Sequence, residues 1–159
     1  TVFKMMIVFL HGLESGPHGS KYQFLKTLGD VLAPDFRACS SLEERVKVAE
    51  EATRGMQDLF LVGSSFGGLL AATLYCRYPD RIAGYLLLAP ALHLPEAAAI
   101  DKVPQVAAII HGLHDEIVPI AASRAFRDKF EVPMLTVPDG HRLSNSKEHM
   151  LGLVKFLRS

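Results

Sequence analysis

Leu59-Phe60-Leu61-Val62-Gly63-Ser64-Ser65-Phe66-Gly67-Gly68-Leu69-Leu70-Ala71-Ala72 is the stretch on which the reading of this chain turns. An apolar run enters a glycine-rich turn and another apolar run leaves it. Gly63 to Gly67 spells G-x-S-x-G, set after a strand candidate and before a helix candidate, which is the context that motif requires. A nucleophile on so sharp a turn takes a strained backbone, and glycines two residues to either side keep other side chains clear of it. The following helix start points backbone N–H groups and a positive dipole end at Ser65, where an oxyanion would form. Phe66, next after the serine, supplies one such N–H. On its own the motif also fits a glycine-rich turn without chemistry. Phosphate loops fit worse: G-x-G-x-x-G fails at Ser65, and a P-loop wants Lys and Ser or Thr where Leu69 and Leu70 stand.

Outward from this turn, short apolar runs alternate with longer amphipathic ones. Strands are expected at Val2 to Leu10, Asp35 to Cys39, Leu59 to Gly63, Ala83 to Ala89, Val106 to His111 and Met134 to Val137. Helical faces are expected at Phe24, Leu25, Leu28 and Leu32; at Leu42, Val46, Ala49, Thr53 and Met56; at Ala122, Phe126 and Phe130; and at Met150, Leu153, Val154 and Leu157. Ser41 with Glu44 suggests a capping box, and Pro119 suits a first helical turn. Unbroken apolar strands are those buried on both faces, so the alternation predicts an α/β three-layer sandwich around a mainly parallel sheet. One domain over 1–159 is expected, with a short flap at Pro90 to Pro104.

Composition agrees with that class. In 159 residues, 17 Lys and Arg balance 17 Asp and Glu to a net charge of zero, and 49% of residues are hydrophobic. Without a basic block no nucleic-acid partner is expected. The run from Leu59 to Cys76 carries no formal charge and touches the lower limit of a membrane span, roughly 18 residues. Its glycines and serines divide it into strand, turn and helix, so no membrane partner is expected either. Met5 to Leu10 is too short for a signal-peptide core. The two cysteines, Cys39 and Cys76, do not make a disulfide scaffold, and a reducing cytoplasm is the simplest location.

A nucleophilic serine needs a base, and the base needs an orienting acid. Asp115, in Gly112-Leu113-His114-Asp115-Glu116-Ile117-Val118-Pro119, stands just beyond the Val106 strand; His141, in Asp139-Gly140-His141-Arg142, stands just beyond the Met134 strand. Both therefore project from the carboxyl edge of the sheet that carries Ser65, where open α/β sheets bind ligands. Glu116 is the rival acid, and Asp139 is read as shaping its turn. His11, His18, His93, His111, His114 and His149 do not follow the last strand as the base should. His111 and His114 stand near Asp115, but without the further ligands a metal needs. The first strand ends in His11-Gly12-Leu13-Glu14-Ser15-Gly16-Pro17, and the loop after it supplies the second oxyanion donor, taken as the Leu13 N–H.

Together these pieces resemble the α/β-hydrolase superfamily over nearly the whole chain. The resemblance rests on the Gly63 to Gly67 elbow, the ordered Asp115 and His141, and the His11-Gly12 loop. That loop, followed by Lys21, also looks like the H-G-x-x-S-x-P pattern of small lidless bacterial esterases such as the YqiA-like group, though here Gly16 and Pro17 follow Ser15 directly. The resemblance implies a doubly wound sheet of about six strands in the order 2-1-3-4-5-6. Two strands that usually precede the first are missing. The cap shrinks to the flap at Pro90 to Pro104, leaving an open site.

The expected activity is that of a serine hydrolase of carboxylic esters, with short-chain acyl esters as small-molecule substrates. Ser65 attacks, His141 moves the proton, Asp115 orients His141, and the N–H groups of Leu13 and Phe66 hold the oxyanion. Water then frees the acyl group, and no metal or organic cofactor is required. Thioesterases and other acyl hydrolases could use the same constellation, and a non-catalytic binding protein or a nucleotide-binding domain are the alternatives from other classes. Leu92, Leu94, Ala97 to Ala99 and Ile100 could form either an acyl-chain wall or a buried flap. The sequence does not give the oligomeric state.

Overall fold

The computed structural model describes residues 5–159. Six strands form one sheet: β1 (Met6–Leu10), β2 (Val31–Leu32), β3 (Leu59–Ser64), β4 (Ile82–Leu88), β5 (Val106–Gly112) and β6 (Met134–Val137). Their order is β2-β1-β3-β4-β5-β6 and every neighbouring pair is parallel. Five α-helices accompany them: α1 (Ser20–Leu25), α2 (Leu42–Ala52), α3 (Phe66–Arg77), α4 (Ile120–Phe130) and α5 (Lys147–Leu157). The part of the expected first strand from Val2 to Lys4 lies outside the described residues.

Strand side chains alternate between two cores. Val8, Leu10, Leu59, Leu61, Leu87 and Ile109 face one side, where Val46 and Ala49 of α2, Leu69 and Leu70 of α3 and Phe126 of α4 cover them. Ile7, Phe9, Phe60, Val62, Leu86, Leu88 and Ile110 face the other, against Phe24 and Leu25 of α1 and Met150 and Val154 of α5. Because both faces are covered, the strands carry no polar alternation. The charge-free run from Leu59 to Cys76 divides into β3 and α3. Among the described residues no helix is long and apolar enough to cross a membrane.

Two expected elements are corrected. Asp35 to Cys39 is not a strand; the second strand is the short edge pair Val31–Leu32, matched to Ile7 and Val8. The helix expected to reach Leu32 ends after Leu25, passes through a 3₁₀ turn at Lys26–Leu28, and stops at Gly29 with φ 134°. That φ suits glycine and breaks the helical path, which frees Leu32 to pair at the sheet edge. Asp35 to Cys39 instead forms a loop that places the Phe36 N–H against the buried His11 ring. At α2, the Ser41 hydroxyl accepts from the Glu44 N–H, but the Glu44 carboxylate turns to Ser40 rather than closing the box on Ser41.

Register aligns the strand ends: Leu10 with Gly63, Ser64 with Leu88, and Gly112 with Val137. The loops that follow β1, β3, β5 and β6 therefore emerge along one edge. In α/β sheets this carboxyl edge, around the point where strand order reverses between β1 and β3, is where sites are built.

Candidate active site

Ser65 sits between β3 and α3 with φ 58° and ψ −115°. A non-glycine residue there carries strain of about 1–3 kcal/mol, which persists only where the surroundings fix the backbone. They do so here: the Ser65 N–H donates to the Leu88 carbonyl and its own carbonyl accepts from the Ala91 N–H, each at 2.9 Å. The flanking glycines admit close backbone crossings. A β-carbon on Gly67 would lie 1.9 Å from the Leu10 carbonyl oxygen, and one on Gly63 would lie 2.3 Å from the Gly67 oxygen. The elbow thus exists only because both positions lack side chains.

Three predicted residues meet. His141 Nε2 lies 3.1 Å from Ser65 Oγ, and His141 Nδ1 lies 2.8 Å from Asp115 Oδ2. The Asp115 side chain is wholly buried, whereas that of His141 keeps 20% of its surface. Asp115 Oδ1 accepts from the N–H groups of Ile117 and Val118, both at 2.8 Å. Burial pushes the Asp115 carboxyl up, but the donors at Val118, His141 and Ile117 outweigh it and leave it below its ordinary value. It is therefore ionised near neutrality and acts as an acceptor. Glu116 is exposed and does not meet His141.

The loop carrying His141 is shaped by Asp139, whose carboxylate accepts from the Gly140 and Asn145 N–H groups and the Ser146 hydroxyl, each at 2.8 Å. Lys21 Nζ donates to the Arg142 carbonyl at 2.8 Å, which gives the lysine after the first loop a place beside this turn. In that first loop the Gly12 N–H donates to Ser15 Oγ at 3.1 Å. Gly12 packs against the elbow, and a β-carbon there would stand 3.3 Å from Ser65 Cβ. Leu13 follows at once. Neither the Leu13 nor the Phe66 N–H has a protein acceptor among the described residues, so both are free to donate to a ligand.

Two buried residues carry roles that sequence patterning does not reveal. His111 is one of them. Its Nε2 lies 3.0 Å from Asp115 Oδ2, behind the acid, and its Nδ1 lies 2.7 Å from Ser123 Oγ. Burial lowers its pKa despite the Val118 carbonyl and the Asp115 charge. His114 is exposed. Among the described residues no group of three or more His, Cys, Asp or Glu converges on a metal position. Arg45 on α2 is only 2% exposed and reaches under the first loop. Its position looks like any polar site on an amphipathic helix, and only the tertiary contact shows otherwise.

The flap packs inward. Leu92 and Ile100 join the core, Leu94 and Ala97 lie against it, and Ala98 and Ala99 remain exposed. A recess of about 450 Å³ lies between this flap, the start of α2 and the end of α3, but neither Ser65 nor His141 borders it. Both cysteines are free thiols.

A model of the alpha/beta hydrolase fold matches residues 6–152. The chain belongs to the alpha/beta hydrolase family. A Xanthomonas campestris pv. campestris protein assigned to the alpha/beta superfamily of hydrolases is similar to it, with a TM-score of 0.82 and 25% identity over 97% of this chain and 96% of its own. A monoacylglycerol lipase of Paleococcus ferrophilus follows the same path, with a TM-score of 0.78 and 19% identity over 98% and 96%. Est1E from Butyrivibrio proteoclasticus gives 0.79 and 18% over 99% and 88%. The last two likenesses show the fold. No curated protein matches this chain in sequence.

Proposed function

We propose that this protein is a serine hydrolase of carboxylic esters, acting on short-chain acyl esters through an acyl-enzyme. The observation that carries this reading is the unbroken relay from Ser65 Oγ to His141 Nε2 at 3.1 Å and from His141 Nδ1 to Asp115 at 2.8 Å. Ser65 Oγ attacks the ester carbonyl carbon while His141 Nε2 takes its proton. The oxygen that becomes negative is held by the N–H groups of Phe66 and Leu13. As the tetrahedral intermediate collapses, His141 returns the proton to the departing alcohol and an acyl-Ser65 remains. Water enters by the same route in reverse: His141 accepts its proton, the acid leaves, and Ser65 regains its hydrogen. Asp115, ionised and buried, keeps the His141 Nδ1 proton in place through both halves.

Preference for short acyl chains is supported by the shortness of the flap and by a part-buried Ser65 that does not border the recess of about 450 Å³. Thioesters present the same carbonyl to the same groups, so they belong in the same assay.

The test is hydrolysis of p-nitrophenyl acetate, butyrate and octanoate, with an acyl thioester alongside, by the wild type, Ser65→Ala and His141→Ala. Activity on the short esters that both substitutions abolish is the expected result. Full activity in Ser65→Ala would overturn the assignment of the nucleophile. Should the wild type hydrolyse none of them, a fluorophosphonate probe decides: labelling at Ser65 supports the reading, and failure to label refutes it.

A further inference from the structure

Arg45 is a buried cation with no carboxylate partner among the described residues. Its Nη1 donates to the His11 carbonyl at 2.6 Å and its Nη2 to the Gly12 carbonyl at 3.0 Å. The guanidinium stacks between two rings, 5.0 Å from the centroids of Phe36 and of Phe66. Burying a charge without a counter-ion is unfavourable, and packing alone does not call for it.

Its contacts fall on the two places that matter for an oxyanion. The Gly12 carbonyl and the Leu13 N–H are opposite ends of one peptide group. That carbonyl also accepts from His11 Nδ1 at 2.7 Å, because His11 Nε2 is occupied as acceptor of the Phe36 N–H at 2.9 Å. Two donors, one of them charged, thus draw electron density towards the Gly12 oxygen, and hydrogen bonds in such a chain strengthen one another. The peptide's far end, Leu13 N–H, becomes a stronger donor. On its other side the guanidinium braces the ring of Phe66, whose backbone N–H is the second donor.

We propose that Arg45 is a positioning residue for oxyanion stabilisation, holding and polarising the Gly12–Leu13 peptide whose N–H meets the developing negative charge. The inference rests on the serine-hydrolase reading above and extends it. Full negative charge appears on the substrate oxygen only in the tetrahedral state. Loss of Arg45 should therefore lower kcat and leave substrate binding nearly unchanged.

Wild type, Arg45→Lys, Arg45→Gln and Arg45→Met are compared for kcat and KM on p-nitrophenyl butyrate, for inhibition by a trifluoromethyl ketone that forms a tetrahedral adduct, and for thermal midpoint. Losing a whole oxyanion donor costs about 10²–10³ in kcat, so weakening one is expected to cost about tenfold in Arg45→Gln and Arg45→Met. Their KM should hold, the ketone should weaken by the same factor as kcat falls, and Arg45→Lys should recover most of both. Wild-type kcat and ketone affinity in a folded Arg45→Met would overturn the proposal, as would Arg45→Gln behaving like Arg45→Lys. If the neutral variants do not fold, the wild type decides: ¹⁵N resonances of the Arg45 guanidinium and the ¹³C resonance of the Gly12 carbonyl should both shift when the ketone binds, and stationary signals refute it. An active Ser65→Ala would topple the hydrolase reading itself, whereas an inactive Ser65→Ala beside an unaffected Arg45→Met topples only this one.

Discussion

Gly112 at the end of β5 packs so closely on Asp139 after β6 that a β-carbon on the glycine would lie 2.2 Å from the Asp139 carbonyl oxygen. The His114 N–H donates to that same oxygen at 3.0 Å, and the Leu113 N–H donates to the Val137 carbonyl at 2.8 Å. The loop bearing Asp115 and the loop bearing His141 are thereby laid one on the other. Gly112→Ala is expected to separate them. Forced overpacking of this kind costs about 1–3 kcal/mol, and on the proposed mechanism the displaced Asp115 should lower turnover of p-nitrophenyl butyrate beyond what the stability loss explains. Thermal melting and kcat, measured well below the melting midpoint, check both effects.

The acid should be Asp115 and not its neighbour. Asp115→Asn presents an amide to His141 Nδ1 and favours the wrong ring tautomer, so kcat is expected to fall by about three to four orders of magnitude with little change in fold. Glu116→Gln, exposed and away from His141, should keep wild-type rates. Paired kinetics on one ester give the answer, and a Glu116→Gln enzyme as damaged as Asp115→Asn would contradict the geometry.

Stability should weaken with acid in two windows. His11 and His111 are pushed below their ordinary pKa, chiefly by burial, so the unfolded chain binds protons that the folded one resists. Their effect is a loss of stability as pH falls from about 6.5, the unfolded value for histidine, towards their lower folded values. Asp115 and Asp139 resist protonation because donors at Val118, His141 and Ile117, and at Ser146, Asn145 and Gly140, outweigh the opposing effect of burial. Their stabilisation is complete above the ordinary carboxylate range, about pH 4, and is lost as pH drops through their depressed values. Urea titrations from pH 8 to pH 3 should show a decline beginning between pH 7 and 5 and steepening below 4. A flat response from pH 7 to 5 would mean the buried histidines are not held neutral.

Glycines divide by what surrounds them. Gly152 lies in the interior of α5 with nothing within 4 Å of a would-be β-carbon, so Gly152→Ala should stabilise the protein by about 0.5–1 kcal/mol and raise Tm by a few degrees. Gly67→Ala meets the Leu10 carbonyl at 1.9 Å and should prevent the native elbow from forming. Differential scanning fluorimetry of the two side by side reads both signs.

What could be read from the chain follows from how local its cause is. The elbow at Ser65 is written within five adjacent residues, and Asp115 and His141 each stand a few residues past an apolar strand, so these were legible before any tertiary contact was known. The order of the strands came from resemblance rather than from the residues themselves. The second strand is not legible because Val31–Leu32 is too short to show a period, while Asp35 to Cys39 has strand-like composition but places the Phe36 N–H on His11. Arg45 and His111 were opaque for another reason: their roles depend on partners across the fold, Arg45 on carbonyls 34 and 33 positions away. A helical arginine carries no mark of that in its own neighbourhood.

The Ser65 backbone also constrains how the molecule assembles. Its left-handed conformation is held by carbonyl and amide partners from Leu88 and Ala91, and its flanking glycines fit only once β1 lies beside β3. Parallel pairings between strands so far apart in the chain close slowly, because each spans a long loop. The geometry at Ser65 therefore exists only once these strands have paired, and a partly folded chain holds the sequence of the elbow but not its shape. Recovery of activity after dilution from denaturant reports completion of the whole sheet, whereas helical signal can return earlier.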